Sequence, residues 1–539
     1  MVLRKADSMR QRFLSLALLF SLFAIFWTQT VAQSGHWRAT NYPARTDHNI
    51  QQNTEPTPDV GGLTGAGTCV VPSDFNLPVC RLSDANLDPS LENQTHVTTA
   101  TGSGDLNLWN TRSTLFVMQG GGGRSYPMTF NPDTLQASRL YPTSYPTTGG
   151  FYFVGNSPSW SYTNPTLLFF AEGSTIKSYD FSGHDTDGSP PSAVEVYDFA
   201  AGSTGSWGVT GDTCLPANYA ATWNSFGEIS KNPADQMFLS AFSNNGKQNT
   251  GSDVVAYKVG NGCTHLDTAT GMVTGDWGNS GVVGIPDRFM VHNVKISKDG
   301  KWAIVAHSRC ITRCTSLGPY MWKIGTTYLY PSCLVPNKCG GHWTEGFSHF
   351  INDDNSPTYQ QVKRVFGSDS PGSTILQLPL PAIECKKGFS GMDQHQNWSN
   401  VDSTDTYPFF LTTTNAPNPS LQPDGGFTCA WVNEVLAVSP LTGTVYRFAH
   451  TRNTGLSWNF STKNAIGGVS QDGRFFVFSS DWGGTLGSED GGATCTPSKD
   501  CRGDVFVVAL TAPCPAGQLR EASIPSFEDC YSPLRRTEH

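Results

Sequence analysis

The sequence has few charged residues, and it has no long apolar run beyond its N-terminal region. Only 15% of its 539 residues are charged, against about 25% in typical soluble domains. The formal net charge of −9 disfavours a nucleic-acid partner, which would need a basic face. A spanning helix needs about 18–20 consecutive apolar residues. We therefore expect no membrane span in the mature chain.

The N-terminal region has the pattern of a secretory signal. Basic residues precede an apolar run from Phe13 to Trp27, and Val31-Ala-Gln33 follows as a cleavage site. This pattern predicts a signal peptide over residues 1–33, with an uncleaved anchor as the alternative. We expect a secreted, periplasmic or cell-surface protein, and the pattern leaves open whether it is released or stays attached to the envelope.

Cysteine, glycine and proline are plentiful. The 55 glycines and 34 prolines favour many short strands joined by turns. The 14 cysteines are even in number and, in an exported chain, indicate disulfides rather than zinc ligands. Sequence alone does not fix their pairing. Nearest-neighbour pairing would join Cys69–Cys80, Cys214–Cys263, Cys385–Cys429, Cys495–Cys501 and Cys514–Cys530, with two bridges among Cys310, Cys314, Cys333 and Cys339.

The stretch from Gly468 to Leu510 is a unit that the rest of the chain repeats. Gln471-Asp472-Gly473 is a tight-turn signal, and the run from Arg474 to Phe478 predicts a strand after it. The run Asp504–Leu510 predicts a further strand. Such a sheet is too thin to bury its own faces, so it must stack on copies of itself.

Copies of this unit occur along the chain. Each has a hydrophobic residue before an anchor position and an apolar strand after it. The anchors are Asn110, Ser161, Ser230, Ser297, Asn352, Ser399 and Ser470. Their separations of 47 to 71 residues exceed the roughly 40–50 residues of a bare four-stranded blade, which predicts loop insertions. Seven units predict an all-β, seven-bladed β-propeller of four-stranded antiparallel blades, and a pair of β-sandwiches is the alternative.

The remaining segments complete a four-part division of the chain. We predict a signal peptide (1–33), a polar N-terminal arm (34–68), the disulfide-bonded propeller (69–513) and a C-terminal tail (514–539). The strand-like residues from Cys69 to Leu82 would complete the last blade or cover the bottom of the ring, because a propeller must close.

The repeat resembles a known family. Ser297-Lys-Asp-Gly300 and Ser470-Gln-Asp-Gly473, each before an apolar strand, and Asp504-Val-Phe-Val-Val508 are similar to the WD40-like repeat of Tol-system-like (TolB-like) periplasmic propellers. The resemblance implies the fold and the compartment. It does not imply an activity, because propellers carry out many unrelated functions.

Three histidines fall near the start of consecutive units. His292, His342 and His395 are 50 and 53 residues apart, so three neighbouring blades could present imidazoles to one site around the channel. His349 is a fourth candidate. Imidazole is the commonest metal ligand and a base near neutral pH. Three interpretations stay open: histidines bonded to backbone carbonyls, a recognition site, or a metal or catalytic site.

A second resemblance concerns the same residues. Gln394-His395-x-Asn397-x-Ser399, with the upstream histidines, is similar to propeller-type oligogalacturonate lyases. That resemblance implies a divalent ion (Mn or Ca) on His292, His342, Gln394 and His395. Arg288 or Lys295 would then hold the uronate carboxylate during proton abstraction.

These observations lead to two functional hypotheses. The first is a monomeric recognition or scaffold protein that binds a glycan or an envelope protein on its channel face, with Trp343 and Trp398 as aromatic candidates for stacking on sugar rings. The alternative is a metal-dependent lyase acting on uronate polysaccharide. The sequence leaves open whether the protein is an enzyme.

Overall fold

Two turns with the same sequence show why the chain forms blades. In Ser297–Gly300 and in Ser470–Gly473 the serine hydroxyl donates to the aspartate two positions on, at 2.6 Å in both turns. The same hydroxyl accepts the backbone N–H five positions on, at 2.9 and 3.0 Å. Gly300 and Gly473 have positive φ, which glycine adopts without steric cost. Each turn therefore folds one strand sharply back on the next.

The computed structural model describes part of the chain. The described residues are 42, 44–47, 49, 65–84, 86–87, 97–98, 106–120, 124–141, 151–154, 156–183, 190–200, 214–215, 222–223, 229–243, 251–312, 314, 318–333, 342–354, 360–368, 370, 372–377, 392–415, 430–453, 465–488, 495, 501–511, 519–520 and 530–531. The predicted signal peptide and the predicted pair Cys385–Cys429 lie outside them.

The described strands form seven antiparallel sheets of four or more strands, one for each blade. Two strands come before the first blade: β1 (Cys69–Val70) and β2 (Val79–Arg81). Blade 1 contains β3 (Val97–Thr98), β4 (Leu115–Gln119), β5 (Arg124–Asn131), β6 (Gln136–Arg139) and β7 (Phe153–Val154). Blade 2 contains β8 (Asn156–Trp160), β9 (Leu167–Glu172), β10 (Thr175–Asp180) and β11 (Val194–Asp198). Blade 3 contains β12 (Thr222–Trp223), β13 (Ser230–Lys231), β14 (Met237–Ser243), β15 (Asp253–Lys258), β16 (Gly262–Asp267), β17 (Met272–Gly275) and β18 (Gly281–Val282).

The later blades follow the same order from the innermost strand outward. Blade 4 contains β19 (Phe289–Ile296), β20 (Trp302–Cys310), β21 (Tyr320–Lys323) and β22 (Leu329–Pro331). Blade 5 contains β23 (Trp343–Glu345), β24 (His349–Asp354), β25 (Gln360–Val365) and β26 (Ser373–Gln377). Blade 6 contains β27 (Met392–Asn397), β28 (Phe409–Asn415), β29 (Glu434–Val438) and β30 (Val445–His450). Blade 7 contains β31 (Gly467–Val469), β32 (Phe475–Ser480) and β33 (Asp504–Ala509), with a short 3-10 turn at Trp482–Gly484 after β32.

The N-terminal strands close the ring. β2 pairs antiparallel with β33, with Cys80 opposite Val507, and β1 pairs with β2. The seventh sheet therefore runs β1-β2-β33-β32-β31. This confirms the prediction that residues near Cys69 to Leu82 complete the last blade. It also makes the first and last parts of the propeller depend on each other.

The hydrophobic core lies between blades. Each of six apolar clusters joins side chains from two neighbouring blades. One cluster places Trp109 of blade 1 against Phe475 of blade 7, with ring centroids 6.1 Å apart. Blades 6 and 7 meet through the stacked rings of Phe410 and Phe476. Since a fully buried large apolar side chain stabilises by about 1.5–3 kcal/mol, these interfaces hold the ring together.

One predicted anchor is wrong in position. Asn352 lies within β24, the second strand of blade 5, opposite Trp343. The innermost strand is the short β23, and the turn after it has no Ser-x-Asp-Gly sequence. Asp405 of the next blade instead accepts the backbone N–H groups of Phe347 and Ser348. The apolar residues 350–351 before Asn352 have the sequence pattern that the other units show at the end of the innermost strand, although they belong to the second strand.

Four disulfides lie among the described residues; three are predicted pairs, and the fourth, Cys310–Cys314, is a pairing that the prediction of two bridges among four cysteines left open. They are Cys69–Cys80, Cys214–Cys263, Cys310–Cys314 and Cys495–Cys501. Cys333 is also disulfide-bonded. Residues 339, 385, 429 and 514 are outside the described ranges, so the pairings predicted for them stay predictions.

The described part of the predicted arm packs against blades 6 and 7. Tyr42 is buried, and its hydroxyl donates to the carbonyl of Gly473 at 3.0 Å. The buried Arg447 of β30 donates to Asp47 Oδ1 at 2.9 Å and to Glu434 Oε2 at 2.8 Å. These contacts fix the arm along the outer strand of blade 6.

The chain divides into two compact units. The propeller and the described part of the arm belong to the unit Arg38–Pro513, and the other unit comprises Met1–Trp37 with Cys514–His539. The second unit contains the hairpin of β34 (Leu519–Arg520) and β35 (Cys530–Tyr531). No helix in the described part of the chain has both the length and the hydropathy that crossing a membrane requires.

Replacing Arg81 should loosen the closure of the ring. Arg81 Nε donates to Asp504 Oδ2 at 2.9 Å, and both side chains are buried. Arg81→Leu leaves Asp504 with Arg502 as its cation. Because removing one partner of a buried pair is costly, we expect a loss of about 2–3 kcal/mol in the free energy of unfolding. Urea titration followed by circular dichroism measures it.

The matched control is Lys177→Leu. Lys177 pairs with Glu172 at the surface, where such pairs contribute less than about 1 kcal/mol. Equal urea midpoints for Arg81→Leu and wild type would show that this pair does not hold the ring closed.

Candidate channel-face site

His342 stands at the start of the innermost strand of blade 5. Its backbone N–H donates to Asp353 Oδ1 and its carbonyl accepts the N–H of Asp353, both at 3.0 Å. These bonds extend the pairing of β23 with β24 by one residue. We call the side of the propeller where the innermost strands begin the start face, and the side of the Ser-x-Asp-Gly turns the turn face.

The imidazoles of His342 and His395 lie next to each other. Their ring centroids are 4.4 Å apart, although 53 residues separate them in sequence. His342 Nδ1 lies 2.5 Å from the carbonyl oxygen of Gln394. Because a carbonyl only accepts, Nδ1 carries the proton, which leaves Nε2 as the acceptor of the neutral ring. The structure thus brings together three of the predicted site residues.

His292 approaches the same pair from blade 4. The pairing of β19 with β20 shifts between Val291 and Val294, which face His307 and Val305. His292 and Asn293 therefore form a β-bulge, and they lie between two valines of the core shared with blade 3. Burial lowers the pKa of His292, a hydrogen bond with Asn293 opposes that shift, and His342 lowers the pKa further. His292 is thus a neutral imidazole within electrostatic reach of His342.

Buried glutamines support the histidines. Gln361 Nε2 donates to Gln394 Oε1 at 2.8 Å, and Gln396 Nε2 donates to Gln361 Oε1 at 2.5 Å. All three side chains are buried. Gln394 and Gln396 are two apart in β27 and so share one face of the strand. The amide chain fixes that face against blade 5 and leaves His395 on the other face.

The two residues predicted to bind a uronate carboxylate are surrounded by other protein groups. Arg288 precedes β19, and its Nη1 donates to the carbonyls of Ile285 and Asp287 at 2.8 and 2.7 Å. Its guanidinium lies against Gly271, where a Cβ atom would come within 2.5 Å of it. Lys295 is buried, with 2% of its surface exposed. Lys295 is therefore closed to solvent, and the half-buried Arg288 is hydrogen-bonded to its own loop.

His349 lies apart from the other histidines. It begins β24 and pairs with Val365, four residues along the strand from Asp353 beside His342. At about 3.4 Å per residue, this separation is about 13 Å. His349 Nδ1 is 2.9 Å from Ser348 Oγ and 3.3 Å from Asp405 Oδ2. His349 therefore belongs to the turn face, whereas His342 belongs to the start face.

The predicted aromatic residues are part of the core. Trp343 is fully buried between blades 4 and 5. Trp398 is 2% exposed, packs in the cluster between blades 5 and 6, and donates through Nε1 to the carbonyl of Tyr407 at 3.1 Å. Neither ring has an open face large enough for a sugar to stack on.

The predicted ligand set does not fit a divalent ion as these side chains stand. Among the described His, Cys, Asp and Glu residues, only the group of His307, Cys310 and Cys314 has three ligand atoms within 4.8 Å of one another. The imidazoles of 292, 342 and 395 are not such a group, and the oxygen of Gln394 already accepts from Gln361. We therefore derive no metal-assisted step at this site.

Sequence reasoning missed several residues that surround the site. Gln396 could have been found, because the alternation Gln394-His-Gln396 places both glutamines on one face of a strand. Asn293, His307 and Gln361 could not. The position of Asn293 near the site results from a β-bulge. His307 and Gln361 lie on second and third strands, and no local sequence pattern reveals the register of those strands.

The sequence matches no known protein family and no curated protein. Solved structures match this chain at low sequence identity. An oligogalacturonate lyase from Vibrio parahaemolyticus is 10% identical over 82% of this chain and 96% of its own, with a TM-score of 0.47. The Dos1 propeller is 11% identical over 77% and 94%, with a TM-score of 0.37. A periplasmic gluconolactonase from Pseudomonas aeruginosa is 12% identical over 52% and 85%, with a TM-score of 0.27. The strand pairing of this chain itself establishes the propeller fold.

Folding stability should depend on pH through His349. Burial, and then Lys363, lowers the pKa of His349 from 6.5 to about 3. Between these values the unfolded chain binds a proton that the folded chain does not. The folding stability contributed by the neutral His349 is therefore fully present above pH 6.5. Below pH 6.5 it decreases by up to about 1.4 kcal/mol for each unit by which the pH is lowered.

Urea unfolding of wild type and His349→Asn over the range from about pH 6.5 to pH 5 measures this contribution. Burial also raises the pKa of the neighbouring Asp405, so the comparison uses the difference between the two proteins. We expect the variant to lose less stability on acidification. Parallel curves for the two proteins would contradict a neutral, buried His349.

Proposed function

We propose that this protein is an exported recognition protein that binds a glycan at the channel site formed by His292, His342, Gln394 and His395. The observation that carries the proposal is the adjacent pair of imidazoles, 4.4 Å apart, on the innermost strands of two blades. His342 is also half-buried, so a ligand at the start face can reach it.

The chemistry of the side chains favours an uncharged, hydroxyl-rich ligand. A neutral imidazole and an amide each offer both a donor and an acceptor, and a sugar hydroxyl offers both as well. Burial keeps His292 neutral by lowering its pKa. A buried polar site of this kind discriminates strongly, because a ligand without matching groups leaves its donors and acceptors unpaired.

A uronate lyase receives less support from the same geometry. That reaction needs a cation for the carboxylate and an electrophile for the developing charge. Arg288 is bonded to two carbonyls of its own loop, and Lys295 is buried. The three imidazoles do not form a group of ligand atoms that all lie within 4.8 Å of one another. Recognition needs none of these groups.

The four described disulfides fit the exported location that we propose. Three of them include at least one buried cysteine, so they belong to the folded interior rather than to a surface thiol pair. Disulfides form and persist in oxidising compartments.

Glycan-array binding followed by calorimetric titration of the best ligand tests the function. His342→Ala and His395→Ala should each weaken binding about five- to tenfold, because one lost hydrogen bond to a ligand costs about 1–1.5 kcal/mol. His265→Ala is the control. His265 lies on β16 of blade 3 and bonds Asp253 at 2.8 Å, so its loss should leave the affinity unchanged.

Two outcomes would contradict the proposal. In the first, no glycan of a broad neutral and acidic panel binds the folded protein. In the second, a glycan binds with the same affinity to wild type and to both channel variants. Capture of a protein partner that depends on His342 would place recognition at this site but exclude a glycan.

A further inference from the structure

One group of potential metal ligands lies outside the channel site. His307, Cys310 and Cys314 each present a ligand atom, and these atoms lie within 4.8 Å of one another. The two cysteines form a disulfide in the structure, with a sequence separation of 4. Its sulfurs are therefore not thiolates, and the group binds no ion in this oxidised state.

The ring of His307 is oriented as in metal sites. Burial lowers the pKa of His307, and a hydrogen bond in which the ring N–H donates to the backbone carbonyl of Gly318 opposes that shift. Histidines that bind metals almost always donate their other N–H to a carbonyl or carboxylate, which fixes the tautomer. With one nitrogen held by Gly318, the other is the nitrogen able to bind an ion.

The disulfide of this group is the one most open to reduction among those described. Cys310 is exposed and Cys314 is half-buried, whereas Cys80, Cys214, Cys263 and Cys501 in the other three are buried. The sequence separations of the others are 11, 49 and 6. Because stabilisation by a disulfide grows with loop length, opening the shortest loop costs the fold least. Exposed disulfides are the labile ones.

We propose that His307, Cys310 and Cys314 form a reduction-gated site for a zinc-class divalent ion at the start face. Two molecules of a small thiol supply two electrons and two protons, are oxidised to their own disulfide, and convert the Cys310–Cys314 bond to two thiols. The ion then displaces both thiol protons. Its ligands are two thiolates and one neutral imidazole.

The geometry and chemistry of this set suit such an ion. Tetrahedral zinc with sulfur at about 2.3 Å and nitrogen at about 2.0 Å places its ligands about 3.5–3.8 Å apart. The three ligand atoms lie within 4.8 Å of one another, and the two sulfurs reach the tetrahedral spacing by moving apart once their bond is reduced. Two thiolates and an imidazole are a borderline-soft set that selects zinc-class ions over calcium or magnesium. Three protein ligands leave the fourth position for water or a ligand.

The group of His307, Cys310 and Cys314 lies near the channel site. Cys310 ends β20 opposite Phe289, the first residue of β19. His292 is close enough to His307 to lower its pKa. An ion bound here therefore lies at the start face, near His292 of the channel site. The proposal does not depend on the glycan-binding function.

Cobalt titration of the full chain tests the site. After mild reduction with a phosphine and removal of the reductant without air, thiol titration should find two thiols per chain. Cobalt should then bind one ion per chain with a thiolate-to-cobalt charge-transfer band, and zinc should displace it. The oxidised protein should bind none.

Variants assign the ligands. Cys310→Ser with Cys314→Ser should abolish the charge-transfer band, and His307→Ala should weaken binding at least about tenfold. Cys495→Ser with Cys501→Ser is the matched control and should bind as wild type. Circular dichroism of each oxidised and reduced protein verifies that the fold persists.

Three results would overturn the proposal. The Cys310–Cys314 pair resists reduction under conditions that keep the fold, the reduced protein binds no cobalt, or cobalt binding is unchanged in the His307 and double-serine variants.

Discussion

The pairing of β2 with β33 is the contact on which the rest of the structure depends. Each blade is one sheet, and its faces can be buried only against the blades on either side. Closing the ring removes the last two exposed faces, and here the closure uses residues 79–81 from the N-terminal end of the propeller. The buried ion pair of Arg81 and Asp504 fixes that closure. The adjacency of blades 4, 5 and 6, and with it the channel site, follows from the closed ring.

The two faces of the propeller differ in chemistry for a structural reason. Innermost strands end at turns where side chains from neighbouring blades bond to each other, as Asp405 does to the turn at Phe347 and Ser348. These polar groups form hydrogen bonds between blades and are therefore not available to bind a ligand. At the start face the innermost strands begin from connections between blades, and the half-buried His342 meets the buried His395 there. The recognition site that we propose therefore lies at the start face.

Much of the fold could be predicted from the sequence, because its signals are local. The Ser-x-Asp-Gly turns at 297–300 and 470–473 require glycine, and several cysteines pair with their nearest neighbours in sequence. The site was harder to predict. Whether Trp343 and Trp398 face solvent or core depends on strand register, and Asn352 was assigned to the wrong strand because β23 is short. His349 is near His342 in sequence but at the other end of the same strand pair, which only the pairing reveals.

The central claim is that ring closure brings imidazoles of blades 5 and 6 together at the start face. Nuclear Overhauser spectroscopy on deuterated protein with protonated histidine rings measures this directly, with assignment by single histidine replacements. The account predicts a cross-peak between the ring protons of His342 and His395, whose centroids are 4.4 Å apart, and none between His342 and His349. A cross-peak between His342 and His349, or none between His342 and His395, would contradict it.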